Sequence, residues 1–372
     1  MDLKDLFKTK KIGDNVTIEG WIRNNRNQKK FGFIDFYDGT CLNTLQVVYD
    51  KELANFEDVG HFLAGSAIKV TGELVESNGK QAYELKATNI ELLGDCPSDY
   101  PIQPKKHSME FLRKEAYLRP RTRTFQAVFK VRSLDTMAIH EYFQKNNYVY
   151  FHAPIITAND CEGAGEMFQV TTLDLNKIAS SGKVDTSKDF YGKTTGLTVS
   201  GQLEAETFAT AFKKTYTFGP TFRAENSNTK VHASEFWMIE PEIAFCDLEQ
   251  DMDIMEEMLK YVVSYVLENA KEEMEFLDKF IENGLIDKLN RLVNSSFVRI
   301  DHKDVITLLK EADRKWEFTP EYGEDIAKEH EKYITEYFNG PVFIKNWPKD
   351  IKAFYMKQND DGKTVAAVDL EV

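Results

Sequence analysis

Between residues 15 and 90, apolar and polar side chains alternate with period two in five short runs, at 16–23, 31–37, 45–49, 67–75 and 81–85, the last continuing toward residue 93. No other feature limits the possible folds so tightly. Successive side chains of a strand point to opposite faces, so each run has one face for a core and one for water. Gly, Asn and Asp separate the runs and supply the turns. A helix is expected over 51–63, between the third and fourth strands. This is the order of a small five-stranded closed barrel, although half of a generic β-sandwich carries the same alternation.

At 372 residues the chain is too long for that barrel alone, and two domains are expected. After residue 96 the texture changes to prolines and then to KKHSMEFLRKEAYLRPRTR at 105–123, a basic run in a chain of net charge −14. That acidic balance argues against a protein that coats nucleic acid non-specifically, because phosphate binding needs local positive charge. The run supplies such charge in one place. Alone it reads as a solvated face; beside a nucleic-acid module it is a candidate phosphate contact. We divide the chain into an OB-type barrel at 1–104, a basic linker at 105–124 and a second domain at 125–372. Cys41, Cys96, Cys161 and Cys246 are far apart and form no C-x-x-C pair, which fits a reduced, intracellular compartment without a zinc site. The opening MDLKDLFKTK lacks the apolar core of a signal peptide, and no apolar run reaches membrane-spanning length. A cytoplasmic protein without membrane association is expected.

In the second domain Val131, Leu134, Ala138 and Tyr142 mark one face of an amphipathic helix. The extended stretch NYVYFHAPIIT follows, interrupted at Pro154. Met255, Met258, Leu259, Val262 and Val266 mark another helix, and the chain is expected to stay mostly helical from 249 to about 318. Helices packed on a mixed, mainly antiparallel sheet make the whole an α+β protein. The stretch FRAENSNTKVHASEFWMIEPE, at 222–242, reads as two antiparallel strands around a polar tip. Alternation would put Arg223 and Glu225 on one face, and Phe236, Met238, Glu240 and Glu242 on one face of the partner strand. A surface ion-pair ladder would look the same. An arginine on a carboxylate-lined, half-buried sheet also suits a ligand that carries both phosphate and amine.

Taken together, these stretches resemble the class II aminoacyl-tRNA synthetases, in the aspartyl/asparaginyl/lysyl subgroup and its asparaginyl branch. FRAENSNTKVHASEFWMIEPE is similar to the second signature motif of that family. FHAPIITANDCEGAGEMFQVTT, at 151–172, resembles the end of the first motif with the substrate loop, and GLTVSGQLEAET, at 196–207, resembles the amino-acid-binding segment. The resemblance covers essentially the whole chain. It implies an anticodon-binding OB barrel followed by a class II antiparallel sheet with packed helices. The implied reaction joins ATP and asparagine into asparaginyl-adenylate and passes the amino acid to the 3′ end of tRNA(Asn). Mg2+ accompanying ATP and a homodimer with the first motif at its interface are implied as well.

Carried over residue by residue, the resemblance makes Arg223 the catalytic arginine on the α-phosphate and the substrate carboxylate. Glu225 matches an adenine contact, Phe236 the ring that stacks on adenine, and His232 is a candidate for the outer phosphates. Glu162 matches a loop residue closing over the amino acid, Ser200 and Gln202 match its polar contacts, and Glu240 meets its ammonium. Ala205 stands where aspartyl enzymes have a carboxylate-binding lysine; the neighbouring Glu206 would accept from the asparagine amide and repel aspartate. A helix-start acid is the plainer reading of Glu206. In the barrel Phe33, Gln46 and Glu84 match anticodon-reading positions, and Arg26, with Arg23, Lys29 and Lys30, would hold the backbone.

The end of the chain departs from the pattern. It closes on KTVAAVDLEV, where Asp369 matches the first of two acidic magnesium ligands. The second carboxylate, a Gly-rich strand and the third motif are expected beyond Val372, so the catalytic fold is expected to be incomplete at the C-terminus and this chain inactive in adenylate formation. Two alternatives stay open: an aspartyl enzyme that charges both tRNAs, and a catalytically silent tRNA-binding protein.

Overall fold

The computed structural model describes residues 1–77, 79, 81–161, 167–226 and 232–372. It divides into two compact units, residues 1–134 with 266–286, and residues 135–265 with 287–372.

The first unit is built on the alternating segment. Helix α1 (Leu3–Thr9) precedes β1 (Asn15–Asn27), β2 (Phe31–Tyr37) and β3 (Leu45–Asp50); the one-turn helix α2 (Phe56–Val59) then leads to β4 (Ala67–Glu76) and β5 (Tyr83–Gly94). The strands close into a barrel in the order β1-β2-β3-β5-β4, which decides against the open sandwich half. Ile18, Ile34, Phe36, Leu45, Val47, Ile68, Val70 and Leu85 fill it, nearly all of them on the inward beat of the alternation. Gly72 marks its tightest crossing: a Cβ there would stand 2.1 Å from the Lys86 carbonyl oxygen, beside a register shift between β4 and β5. The helix expected over 51–63 shrinks to one turn, because the segment is held by Asp50, Leu53 and Asn55 in successive turns. The basic run is more structured than a linker. It holds α3 (Met109–Lys114), capped by the Ser108 hydroxyl accepting from the Phe111 N–H, and a 3-10 turn at Arg119–Arg121 before the long helix α4 (Arg123–Lys145).

The second unit begins within α4 and runs through β6 (Val149–Tyr150), β7 (Ile156–Thr157), β8 (Gln169–Val170), α5 (Leu175–Ser181), β9 (Thr195–Leu197), α6 (Gln202–Phe212), β10 (Lys214–Phe222) and β11 (Glu235–Ile243). The chain passes into the first unit near the end of α7 (Leu248–Asn269), forms α8 (Lys271–Phe280) there, and returns to the second unit within α9 (Leu285–Asn294), followed by β12 (Val298–Asp301), α10 (His302–Glu311), α11 (Lys328–Phe338), β13 (Val342–Pro348) and β14 (Thr364–Glu371). Among the described residues the strands form three three-stranded sheets, β11-β10-β6, β12-β13-β14 and β7-β9-β8. Pro154 falls between β6 and β7, where the chain leaves one sheet for another. Pairing is mixed: β10 with β6 and β12 with β13 are parallel, the other pairs antiparallel. Phe143, Tyr148, Tyr216 and Phe218 pack α4 onto the first sheet, and Met252, Phe297 and Phe343 join α7 to the second.

Candidate functional site

In the second unit β10 and β11 pair in uninterrupted register from Lys214↔Ile243 to Phe222↔Glu235. Glu240 therefore stands opposite Thr217, and three donors converge on its carboxylate. The Ser200 hydroxyl donates to Oε2, the Gly201 N–H to Oε1 at 3.0 Å, and the Thr217 hydroxyl to Oε1 at 3.2 Å. Segment 198–202 is hung there by its backbone: the Thr198 N–H donates to the Ile155 carbonyl at 2.8 Å, and the Thr198 carbonyl accepts from the Phe222 N–H at 2.8 Å. Space at Gly201 is tight: a Cβ would lie 3.0 Å from that of Ala153 and 3.1 Å from the Thr217 hydroxyl. Helix α6 follows, its Gln202 N–H donating to the Ser200 hydroxyl at 3.1 Å.

One turn along α6, the Gln202 amide donates to Glu206 at 3.0 Å, so these two exposed-side groups form one polar patch. Ala205 is fully buried, and its carbonyl accepts from the Thr215 hydroxyl. Glu242 adds a third carboxylate: burial first, then Glu206 and Glu240, pushes its pKa up to about 8. A half-buried cluster short of positive charge is a place where an ammonium ligand is favoured.

Arg223 falls just past the end of β10, so strand alternation does not extend to it or to Glu225. Its N–H donates to the Ser234 carbonyl at 3.1 Å, which keeps it beside β11, and its guanidinium lies 5.5 Å from the centroid of the Phe236 ring. Arginine and aromatic are thus side by side although the alternation expected to place Arg223 stops at Phe222, while Glu225 and His232 are exposed. Glu162 lies outside the described residues. Asp369 is on β14 opposite Ile344, and its carboxylate accepts from Lys352 Nζ at 2.8 Å, with that ammonium 3.8 Å from the Trp347 ring centroid. Among the described residues no group of three His, Cys, Asp or Glu side chains could hold a metal.

In the first unit the four barrel candidates form one connected face. Arg26 pairs with Phe33 across β1 and β2, its guanidinium 5.5 Å from the ring centroid. Its Nη2 donates to Gln46 Oε1 at 3.2 Å, and the Gln46 amide donates to Glu84 at 2.8 Å. Glu84 is buried, and it also accepts from the Ser77 hydroxyl at 2.8 Å. Phe33 is half-buried, with Phe31 edge-on at 5.3 Å. This places an aromatic face, an amide and a carboxylate side by side, the set that stacks and reads an unpaired base.

Sequence reasoning missed Asp35, 3.6 Å from Arg26, and Gln81, which clamps the Gln46 N–H at 3.1 Å. The first was readable, being two residues from Phe33 on the same face. Thr217 was readable too, from the hairpin register. Lys352 had no local signal, because its partner is 17 residues away across a turn.

Residues 108–372 match the family of class II tRNA synthetases (D, K and N), and residues 16–93 match the OB-fold nucleic acid binding domain. The chain is 57% identical over 365 residues to an asparagine–tRNA ligase of Acholeplasma laidlawii, covering 97% of this chain and 79% of that protein. It is 55% identical to an asparagine–tRNA ligase of Acetivibrio thermocellus, covering 100% of this chain and 81% of that one. Among solved structures it is similar to the asparaginyl-tRNA synthetase of Pyrococcus horikoshii complexed with asparaginyl-adenylate, with a TM-score of 0.81 and 28% identity over 96% of this chain and 77% of that one.

Proposed function

We propose that this chain, which belongs to the class II tRNA synthetases and among them to the asparagine–tRNA ligases, holds asparagine and ATP in its second unit and reads tRNA(Asn) with its barrel. The observation that carries the reading is the anchored carboxylate of Glu240, fixed by Ser200, Gly201 and Thr217. A carboxylate whose acceptor directions are preset is a rigid receptor for an ammonium. Gln202 and Glu206 extend it toward the side chain, where Glu206 accepts from the amide NH2 of asparagine and repels a carboxylate.

In the proposed reaction the asparagine carboxylate oxygen attacks the α-phosphorus of ATP. The new P–O bond forms as the bond to the bridging oxygen breaks, and pyrophosphate departs with that electron pair. Negative charge grows on the α-phosphoryl oxygens, and Arg223 stabilises it; Phe236, beside the guanidinium, stacks on adenine. Glu225 is proposed at the adenine edge, His232 at the outer phosphates, and Glu162 over the amino acid. The ribose hydroxyl of the tRNA end then displaces AMP from the adenylate.

Mg2+ is proposed as the companion of ATP. Magnesium bound through phosphates needs only one or two protein carboxylates. Asp369 is already committed to Lys352, so the residues do not form a ready magnesium site and no step is assigned to the ion. A cytoplasmic location is proposed from the reaction; among the described residues no helix is long and apolar enough to cross a membrane. A homodimer is proposed from the exposed Met137, Val149, Tyr150 and Trp237 of the second unit, which leave apolar surface around α4, β6 and β11. Residues 1–104 are proposed as the anticodon module, 105–124 as its connection and 125–372 as the catalytic part.

Calorimetric titration with a non-hydrolysable asparaginyl-adenylate analogue tests the reading. Glu240→Gln removes the ammonium's charge partner and should weaken binding by at least tenfold, about 1.4 kcal/mol. Equal affinity in the variant would remove Glu240 from the role.

A further inference from the structure

Of Glu206, Glu240 and Glu242, the last has no task in the proposed reaction. It stands two residues from Glu240 on the same face of β11, about 7 Å along the strand, and opposite Thr215 of β10. The Thr215 hydroxyl is spent on the Ala205 carbonyl at 3.1 Å, so α6 covers this part of the hairpin. Glu206 acts on Glu242 from α6, Glu240 from β11 and the half-buried Asp251 from α7, and every charge acting on it is therefore a carboxylate's. Cations of the second unit are engaged elsewhere. Lys214, at the start of β10, has its Nζ 5.2 Å from the Tyr148 ring centroid, Lys260 pairs with Glu256, Arg299 with Glu249 and Asp253, and Lys345 with Glu249.

Like charges gathered away from water do not all ionise, and a proton settles on the group whose ionised form is least supported. The donors show which group that is. Glu240 accepts from Ser200, Gly201 and Thr217, and Glu206 accepts from Gln202, and each bond favours the ionised form. Among the described residues the Glu242 carboxyl accepts no hydrogen bond. Asp251 also lacks a donor, but burial alone raises its pKa, whereas Glu242 carries the burial and the three neighbouring acids together, which push it up to about 8.

We infer that Glu242 stores a proton before the amino acid binds and releases it to water as the ammonium settles on Glu240. The inference rests on the proposed ammonium site. One positive charge enters and one proton leaves the Glu242 carboxyl oxygen, so the net charge of the cluster is unchanged. Because the free protein must lose a proton to bind, affinity rises with pH below about 8 and levels off above it, where the proton is already gone.

The full chain is labelled with 13C at the glutamate δ-carbons, and the Glu242 resonance is identified as the one missing from Glu242→Gln. In the free protein it should titrate near pH 8, clear of ordinary glutamates at about pH 4. Titration with the ordinary glutamates overturns the inference. The asparaginyl-adenylate analogue is then bound between about pH 6 and 7, where its amine is already largely protonated, in buffers of different ionisation enthalpy. The parent should release protons on binding, and its affinity should rise about threefold or more across that interval; Glu242→Gln, which keeps the shape of the protonated acid, should lose both effects. Equal proton release by parent and variant, or parallel pH profiles, overturns the inference even where Glu242 titrates high. An analogue that binds neither protein, with Glu242 still titrating near pH 8, overturns the amino-acid reading and the exchange that rests on it, while the stored proton stands.

Discussion

Phe33 shows how one side chain carries two readings. In isolation it is a β-strand aromatic of the kind that fills cores, yet its ring is half-buried on the outer beat of β2, with Arg26 beside it and Ile34 and Phe36 turned inward. Its neighbours make the difference: Gln46 and Glu84 are linked by a 2.8 Å hydrogen bond next to it, so a base stacked on the ring meets a donor and acceptor already in place. Phe33→Ala should remove roughly 1 to 3 kcal/mol from binding of an anticodon stem-loop, read by fluorescence anisotropy at fixed salt. Equal binding by the variant, or of a scrambled anticodon by the parent, would refute base readout. Residue types identified these positions only through family resemblance; taken alone Phe33 reads as core, and nothing local connects Gln46 to Glu84, 38 residues later. The same limit applies to Asp369 and Lys352, a pair made by the β13–β14 turn.

The β10–β11 hairpin was legible because a long apolar flank on each side of a polar tip has few alternatives, and the flanks pair in one uninterrupted register. What it could not reveal was where the strands stop. Pairing ends at Phe222, so Arg223 is placed by its own N–H on Ser234 rather than by the pleat. The helix over 51–63 failed for a related reason: its apolar residues have helical spacing, but polar side chains tie the backbone into separate turns. The hairpin's far side leaves Trp237 exposed at 47%, edge-on to Phe218 at 5.1 Å, and the Tyr150 hydroxyl donates to the Phe218 carbonyl at 3.4 Å. Such a surface is expected at a homodimer contact. Trp237→Glu should shift the protein to monomer in sedimentation equilibrium, and a parent chain that is monomeric at the same concentration would contradict the dimer.

Across the whole molecule, charge is divided by task. Positive groups gather in the first unit around the barrel, while the second unit collects Glu206, Glu240 and Glu242 at the head of α6 and on β11. An acidic chain thus carries local surfaces of both signs. The second cluster is proposed to select asparagine, with its ammonium on Glu240 and its amide on Glu206. The most direct measurement is the ratio of affinities of the full chain for asparaginyl- and aspartyl-adenylate analogues that differ only in amide against carboxylate. The asparaginyl analogue should bind at least a hundredfold more tightly, about 2.7 kcal/mol, and Glu206→Gln should narrow the ratio. Equal affinity for the two analogues, or a ratio unmoved by Glu206→Gln, would contradict it.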